Sequence, residues 1–365
     1  MPEFSATDHA MMARALRLAA RGMTTTQPNP RVGCVIAHGD EIVGEGWHRR
    51  AGEPHAEPLA LHMAGARARG ATAYVTLEPC AHHGRTPPCA DALIEAGIAR
   101  VVAACEDPNP KVAGGGLQRL RDAGIEVETG LMREAARELN RGFFSRMERG
   151  RPWVRVKLAM SLDGRTALAN GESQWISGEA ARADVQRLRA RSSAILTAAG
   201  TARADNPRLT VRLPAGEVFV PALRVALDPR LDALQAGAHL LDGSAPTLIL
   251  HAPDAKPSDD RYSRVELAAV ERDANGRLDL HVAMRLLAAR GVNELQVEAG
   301  PRLCGALFET GLVDELLLYV APVLLGDAAR PLLALPPIVD MAARKTLRVI
   351  ERRQIGDDMR LLLRS

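Results

Sequence analysis

The chain has 365 residues, 47% apolar and 25% charged, with a formal net charge of +3. That length supports two buried cores, and the balance is that of globular protein, which excludes disordered and fibrous classes. Five cysteines make no disulfide framework, no apolar run is long enough to span a bilayer, and the start Met1-Pro2-Glu3-Phe4-Ser5-Ala6-Thr7-Asp8 lacks a signal peptide's basic and apolar stretches, so a cytoplasmic location is expected.

Asp8 is placed to cap a helix running to about residue 21, with Met11, Ala15, Leu18 and Ala19 on one face. Residues 32–37 and 41–48 read as a strand pair turned at Gly39-Asp40. A helix opens near Glu53 and Pro54 and puts His55 and Glu57 in its first turn. Residues 72–77 form a strand whose end delivers Pro79-Cys80, and a helix from about Pro88 carries Cys89. The partial positive charge of a helix N-terminus favours thiolate over thiol there. Strands at 100–105 and 125–128, separated by helical segments, complete a three-layer α/β/α domain with the ligand residues at strand ends. Gly114-Gly115-Gly116 reads as a loop and helix start.

Arg149-Gly150-Arg151-Pro152 breaks the helix that ends near Met147 and divides the chain into domains 1–148 and 149–365. Strands are expected at 153–159, 193–197, 223–227, 247–250, 294–298, 315–320, 346–350 and 359–363, and helices at 179–191, 281–289 and from Gly300-Pro301 through Leu307. The order predicts a second α/β domain. There is no internal repeat and no low-complexity segment.

The chemistry concentrates in His55-Ala56-Glu57, Pro79-Cys80 and Cys89. A His/Cys/Cys set suits zinc and leaves the fourth tetrahedral position to a water. Glu57, two residues past the His, is placed to move that water's proton. A structural zinc site is the alternative, but such sites close the shell with a fourth protein ligand, and Cys34, Cys105 and Cys304 sit in apolar runs as ordinary core residues. In the second half, Glu298-Ala299-Gly300-Pro301-Arg302-Leu303-Cys304-Gly305 is a strand-to-helix junction that either seats a phosphate or is a tight turn. No strand is followed by G-x-G-x-x-G, which argues against a Rossmann dinucleotide domain. Arginine far outnumbers lysine, yet there is no basic block and only 3% of residues are aromatic, so a nucleic-acid partner is not expected.

The H-x-E and P-C elements resemble those of zinc nucleobase deaminases, except that Cys89 follows Cys80 after an eight-residue insertion, Ala81-His82-His83-Gly84-Arg85-Thr86-Pro87-Pro88, in place of two residues. With that insertion, Leu77 through Cys89 resembles the bifunctional deaminase/reductase family of riboflavin biosynthesis. So do Gly52-Glu53-Pro54-His55-Ala56-Glu57, Pro28-Asn29-Pro30-Arg31-Val32-Gly33-Cys34, Asp107-Pro108-Asn109-Pro110, Ser161-Leu162-Asp163-Gly164-Arg165, Gly171-Glu172-Ser173-Gln174-Trp175-Ile176 and Val297-Glu298-Ala299-Gly300-Pro301. The likeness covers nearly the whole chain.

The resemblance implies a cytidine-deaminase-like domain followed by a dihydrofolate-reductase-like domain that binds NADPH. It implies His55, Cys80 and Cys89 as Zn2+ ligands, Glu57 as proton shuttle, and Asn29, His48, His82, Arg85, Asp107 and Asn109 as deaminase substrate contacts. For the reductase it implies NADPH contacts at Ala159, Trp175, Thr201, Asp205, Gly300, Pro301, Arg302, Leu303, Cys304, Gly305 and Ala306. Substrate contacts are implied at Ser173, Arg189, Leu209, Arg212 and Glu298, with Lys157 a catalytic candidate on the first strand. Two positions depart from the family: Ser177 replaces a threonine, and Pro229 stands where a serine is common. Arg189 and Arg212 are forks suited to phosphate, or else a solvated helix face and loop. Lys157, on an apolar strand, needs a partner, either substrate or Glu298, and a structural ion pair is a further reading. The implied activity is zinc-dependent deamination of a phosphoribosylaminopyrimidine, then reduction of its ribosyl chain, in a homo-oligomer (dimer or tetramer). Two other classes stay open: a nucleic-acid-editing deaminase, which calls for stacking aromatics near the zinc loop, and a regulatory protein with a degenerate deaminase half, which calls for a lost ligand.

Overall fold

The computed structural model describes residues 3–81, 88–110 and 112–364. Two compact units follow one another, Met1–Gly150 and Arg151–Ser365. Among the described residues no helix is long and apolar enough to cross a membrane.

The first unit contains α1 (Ala6–Ala19), β1 (Gly33–His38), β2 (Glu41–Trp47), α2 (Ala56–Ala64), β3 (Thr72–Val75), α3 (Cys89–Glu95), β4 (Arg100–Ala103), α4 (Gly115–Asp122), β5 (Glu126–Thr129), α5 (Arg133–Leu139) and α6 (Arg141–Arg149). Its sheet runs β2-β1-β3-β4-β5. β1 is antiparallel to both neighbours, and β3, β4 and β5 are parallel. Alternation along each strand feeds two cores. Cys34 and Ile36 face Ala56 and Ala60 of α2, Ala90 and Leu93 of α3 and Leu120 of α4, whereas Val35 and Ala37 face Met12 and Ala15 of α1, Ala136 of α5 and Phe144 of α6. This is the three-layer α/β/α arrangement.

Asp8 does not cap α1. Ser5 does: its hydroxyl accepts from Asp8 N (3.1 Å) and Asp8 Oδ2 accepts from Ser5 N (2.8 Å), a reciprocal capping box. The other Asp8 oxygen accepts from Tyr74 Oη (2.8 Å) and Arg100 Nη1 (2.7 Å), so this acid ties α1 to the sheet. His55 likewise stands as the N-cap of α2, one residue before its first turn. The third strand stops at Val75, which leaves residues 76–81 as the approach to Cys80.

The second unit contains β6 (Trp153–Ser161), β7 (Arg165–Ala167), α7 (Glu179–Arg191), β8 (Ala194–Ala198), α8 (Ala199–Asp205), β9 (Leu223–Leu227), β10 (Thr247–His251), β11 (Glu266–Ala269), α9 (Leu280–Ala289), β12 (Glu294–Val297), α10 (Pro301–Glu309), β13 (Glu315–Ala321), β14 (Arg330–Pro331), β15 (Arg348–Ile355) and β16 (Asp358–Arg364). Its nine-stranded sheet is ordered β11-β10-β9-β8-β12-β6-β13-β16-β15. The strands from β11 to β13 are parallel, and β16 and β15 close one edge antiparallel. Val154, Val156, Leu196 and Val297 bury one face with Ala283 and Leu287 of α9 and Leu307 of α10. The other face meets Ala181, Val185 and Leu188 of α7. The short elements β7, β11 and β14 and the helix α8 have no counterpart in the sequence reading, because each is too brief to show a period.

What positions the first site is the contact of α2 with β2. A Cβ on Gly46 would lie 2.3 Å from the Ala56 carbonyl oxygen, and one on Gly44 would lie 2.2 Å from that of Ala60. Only glycine lets the helix lie this close. Gly46→Ala is therefore expected to lower the stability of the first unit by ~1–3 kcal/mol, the usual cost of overpacking. It should also reduce bound zinc by displacing His55, without changing the reductase rate. Thermal unfolding and metal analysis check this, and full zinc content with unchanged stability would refute it.

Candidate active sites

His55, Cys80 and Cys89 arrive from three elements: the N-cap of α2, the segment after β3, and the first residue of α3. Their ligand atoms all lie within 4.8 Å of one another. His55 Nδ1 is 3.2 Å from Cys89 Sγ and 3.7 Å from Cys80 Sγ. A tetrahedral zinc with ordinary Zn–N and Zn–S bonds places such pairs ~3.5 Å apart, so the cluster has the dimensions of three corners of a zinc site. A hydrogen bond with Cys89, then His55 and the Cys89 N–H, draws Cys80 below the usual thiol range, and the bond to Cys80, with burial, pushes Cys89 up.

Glu57 is 3% exposed, and its Oε2 has no hydrogen-bond partner. Burial pushes its carboxyl up to about 7. An orphaned buried carboxylate oxygen beside three convergent metal ligands fits a proton carrier waiting for a water. Cys34, Cys105 and Cys304 are buried elsewhere.

Of the other deaminase candidates, His48 and Asn29 connect to this cluster. His48 Nδ1 is 3.1 Å from the Pro54 carbonyl oxygen, which can only accept, so that nitrogen carries the proton. His48 Nε2 then accepts from Asn29 Nδ2 at 3.0 Å. The consequence is a fixed amide, with Asn29 Oδ1 left as the acceptor. The His48 ring stands edge-on to His55, 5.3 Å between centroids. Asp107 and Asn109 follow β4, and Asp107 Oδ1 accepts from Asn109 N (2.8 Å). His82 and Arg85 lie outside the described residues.

In the second unit Lys157 and Ala159 lie on β6, and Glu298 follows the end of β12. Arg189 of α7 holds Glu298 by two bonds of 2.7 Å, Nε to Oε1 and Nη2 to Oε2, and its Nη1 donates to Thr210 O (3.0 Å). Arg189 is thus neither a solvated face nor a free phosphate fork: its guanidinium is committed inside the protein. Burial opposes the charge on Glu298, but Arg189 and then Lys157 overcome it and hold the carboxyl at about 2. Burial draws the Lys157 ammonium down, with Glu298 opposing, and Lys157 Nζ sits 5.7 Å from the Tyr319 ring centroid. Gln296, which the sequence reading passes over, donates to Glu298 Oε1 (2.8 Å), and its signal was the polar alternation Glu294, Gln296, Glu298 in an otherwise apolar strand.

Arg212 is exposed, and its backbone N–H donates to Gln186 Oε1 (3.0 Å). Leu209 is buried, Ser173 half-buried, and Trp175 exposed with the Arg182 guanidinium 4.7 Å over its ring. At the strand-to-helix junction Gly300 N donates to Thr201 Oγ1 (3.1 Å), which joins α8 to the start of α10. Asp205 ends α8. Gly300 is the N-cap of α10, Pro301 opens the helix, and no side chain caps it. A Cβ on Gly300 would meet nothing nearer than Thr201 Oγ1 at 3.7 Å, so the protein itself does not demand glycine there. Open space over uncapped N–H groups at Arg302 and Leu303 fits a phosphate of NADPH. Cys304 and Gly305 differ: Cys304 is core, and a Cβ on Gly305 would lie 2.2 Å from Ala334 O, so their side positions serve packing, while Ala306 is half-buried.

A three-layer unit with a His/Cys/Cys/Glu cluster, followed by a mostly parallel sheet with an uncapped helix after its β12 strand, defines a zinc deaminase and reductase in one chain. Residues 5–105 match the cytidine and deoxycytidylate deaminase zinc-binding region, and residues 152–361 match the RibD C-terminal domain. The riboflavin biosynthesis protein RibD of Escherichia coli is 50% identical over 98% of this chain and 99% of its own, and that of Haemophilus influenzae is 48% identical over 99% and 98%. Among solved structures, Acinetobacter baumannii RibD superposes with a TM-score of 0.91 at 43% identity over 98% of both chains. A Thermotoga maritima diaminohydroxyphosphoribosylaminopyrimidine deaminase/5-amino-6-(5-phosphoribosylamino)uracil reductase does so at 0.87 and 31%, also over 98% of both. The chain belongs to the RibD family. It is a deaminase and reductase of riboflavin biosynthesis that uses Zn2+ and NADPH.

The Arg189–Glu298 pair yields a test with a defined sign. Because the folded carboxyl is depressed to about 2, the pair's stabilisation is present above the ordinary carboxyl value of 4.5 and is lost as pH falls from there toward 2. Arg189→Met is expected to cost the second unit about 3–5 kcal/mol at pH 7, the usual penalty for stranding a buried charge, and less as the pH drops through that window. Denaturant unfolding at several pH values checks it. A penalty independent of pH would mean that Arg189 acts through packing.

Proposed function

We propose that the first unit hydrolyses the exocyclic amine of 2,5-diamino-6-(5-phosphoribosylamino)pyrimidin-4(3H)-one and that the second reduces the ribosyl chain of the resulting uracil to ribityl. The observation that carries the reading is the set of three ligand atoms within 4.8 Å beside the unpartnered oxygen of Glu57. The deaminase domain runs over 1–148 and the reductase over 149–365 in this reading.

His55, Cys80 and Cys89 hold the zinc, which when bound makes water acidic and electrophiles more reactive. Glu57 takes a proton from the attacking water and returns it to the leaving nitrogen, so that water adds oxygen to the ring carbon and ammonia departs. Asn29 Oδ1, oriented through His48, accepts from an N–H of the pyrimidine, and Asp107 and Asn109 read the same ring. His82 and Arg85 are included among the substrate contacts on the strength of the family resemblance, Arg85 by its charge suiting the phosphate.

In the second unit, Thr201, Asp205, Ala159, Trp175 and the turn from Gly300 to Ala306 form the cofactor side. NADPH supplies the hydride. Arg189 and Gln296 hold Glu298 toward the substrate, with Ser173, Leu209 and Arg212 around it, and Arg212 meets the phosphate from the exposed rim. Lys157 is the proton donor to the ring oxygen released when the sugar opens.

The test follows ammonia release and NADPH consumption separately. Cys80→Ser is expected to abolish deamination while reduction of supplied deaminated substrate continues. Glu57→Gln should lower deamination by ~10²–10⁴-fold with zinc content unchanged. Ammonia release from metal-free protein, or zinc loss in Glu57→Gln, would overturn the assignment.

The same reading places the enzyme in the cytoplasm, where its five free cysteines stay reduced, and makes it a dimer or tetramer. In support of self-association, the edge strand β15 exposes Val349 and Ile350 beside unpaired backbone. Sedimentation velocity of the zinc-loaded protein is expected to show a dimer or larger, and a concentration-independent monomer would refute it.

A further inference from the structure

Glu78 precedes the zinc motif in Leu77-Glu78-Pro79-Cys80, and its side chain bonds to neither the ligands nor Glu57, yet it is 4% exposed. Its carboxylate spends both oxygens on one stretch of backbone. Oε2 accepts from Asp107 N and Gly114 N, each at 3.0 Å, and Oε1 accepts from Gly116 N at 2.9 Å and Leu117 N at 3.3 Å. Gly116 and Leu117 are the second and third residues of α4, whose own N-cap, Gly114, offers no side chain. Those N–H groups are the ones an N-cap side chain would satisfy, and here an acid 36 residues away from Gly114 does so. The main chain is tied at the same place, since Glu78 N donates to Cys105 O (2.9 Å). The fit is close: a Cβ on Gly116 would lie 1.8 Å from the Pro79 carbonyl oxygen, which accounts for glycine at that position in the run Gly114-Gly115-Gly116.

These bonds connect two things. Pro79 and Cys80, which follow Glu78, carry a zinc ligand. Asp107 and Asn109, which the carboxylate reaches at Asp107 N, are the proposed readers of the pyrimidine. We propose that Glu78 is a positioning residue of the deaminase: it sets the distance between the ring-reading pair Asp107/Asn109 and the Cys80 corner of the metal site. The alternative is a plain helix cap for α4, which would affect stability alone. The proposal rests on the reading of Asp107 as a substrate contact, and its test separates the two.

Deamination is measured on the full zinc-loaded chain for Glu78→Gln, Asp107→Ala and the double variant, with zinc content and the reductase rate alongside. An amide at position 78 keeps the shape but turns two donors against backbone N–H groups. Glu78→Gln is expected to raise the KM for the diaminopyrimidine roughly 10-fold, within the ~10² that an ångström of misplacement costs, with a smaller change in kcat. Zinc content and reductase rate should stay at wild-type values. On the Asp107→Ala background Glu78→Gln should add little, because both act through one contact. If Glu78→Gln does not fold, Glu78→Asp carries the test: it keeps the charge, falls one methylene short, and should raise KM by less. Should Asp107→Ala raise KM while the Glu78 variants lower only thermal stability, Glu78 is a cap and the proposal fails. Loss of zinc from the Glu78 variants would also sink it. An unchanged KM in Asp107→Ala would instead overturn the substrate reading of that residue, and the positioning role with it.

Discussion

The closeness of α2 to β2, with helix backbone lying on the hydrogens of Gly44 and Gly46, sets what the first unit can do. It fixes the height of the α2 N-terminus over the sheet, and so the place of His55 at its cap and of Glu57 in its first turn. Cys80 comes from the end of a parallel strand and Cys89 from the start of the next helix. Three ligands on three elements meet only if each element is rigid. The rigidity comes from cores of small side chains, Ala56, Ala60, Ala64, Ala73 and Ala90 among them, which bring helices nearer the sheet than leucines would.

Glu57 is the exception to how this chain treats buried charge: Asp8 and Glu78 of the same unit have all their carboxylate oxygens bonded. Glu57 keeps one oxygen without a partner, a cost that persists where a ligand later satisfies the group. In the second unit, Arg155 pairs with Glu315, Arg151 with Asp314, Arg189 with Glu298 and Arg360 with Asp184. Lys157 sits near Glu298 and over Tyr319.

Much of this was legible in the sequence because it is local. His55 and Glu57 share a turn, Cys80 and Cys89 flank one insertion, and strand and helix periods place them at element ends. The α7 helix and β9 match their expected limits because each shows an unbroken period. What spacing could not show are bonds across long separations. Glu298 and Arg189 are 109 residues apart, so nothing near Arg189 announces that its guanidinium is already taken. Asp8 differs: its place in the capping box with Ser5 is local, and only its second oxygen, fixed by Tyr74 and Arg100, 66 and 92 residues on, lies beyond what spacing shows. Glu78 was visible in the motif but not its target, since a carboxylate that binds backbone leaves no partner residue type to look for.

The strand order of the second unit has a consequence for how the chain comes into being. β6 is the first strand of that unit to be synthesised, but it lies between β12 and β13, which begin at Glu294 and Glu315. Its hydrogen-bonding edges therefore stay open until well over a hundred further residues have been made, whereas each strand of the first unit pairs with partners inside its first 130 residues. Contacts of such long separation form slowly. The deaminase half can thus close its core and take up metal while the reductase half is still emerging from the ribosome, with Trp153, Val154, Val156 and Leu158 exposed on a strand that has nothing yet to pair with.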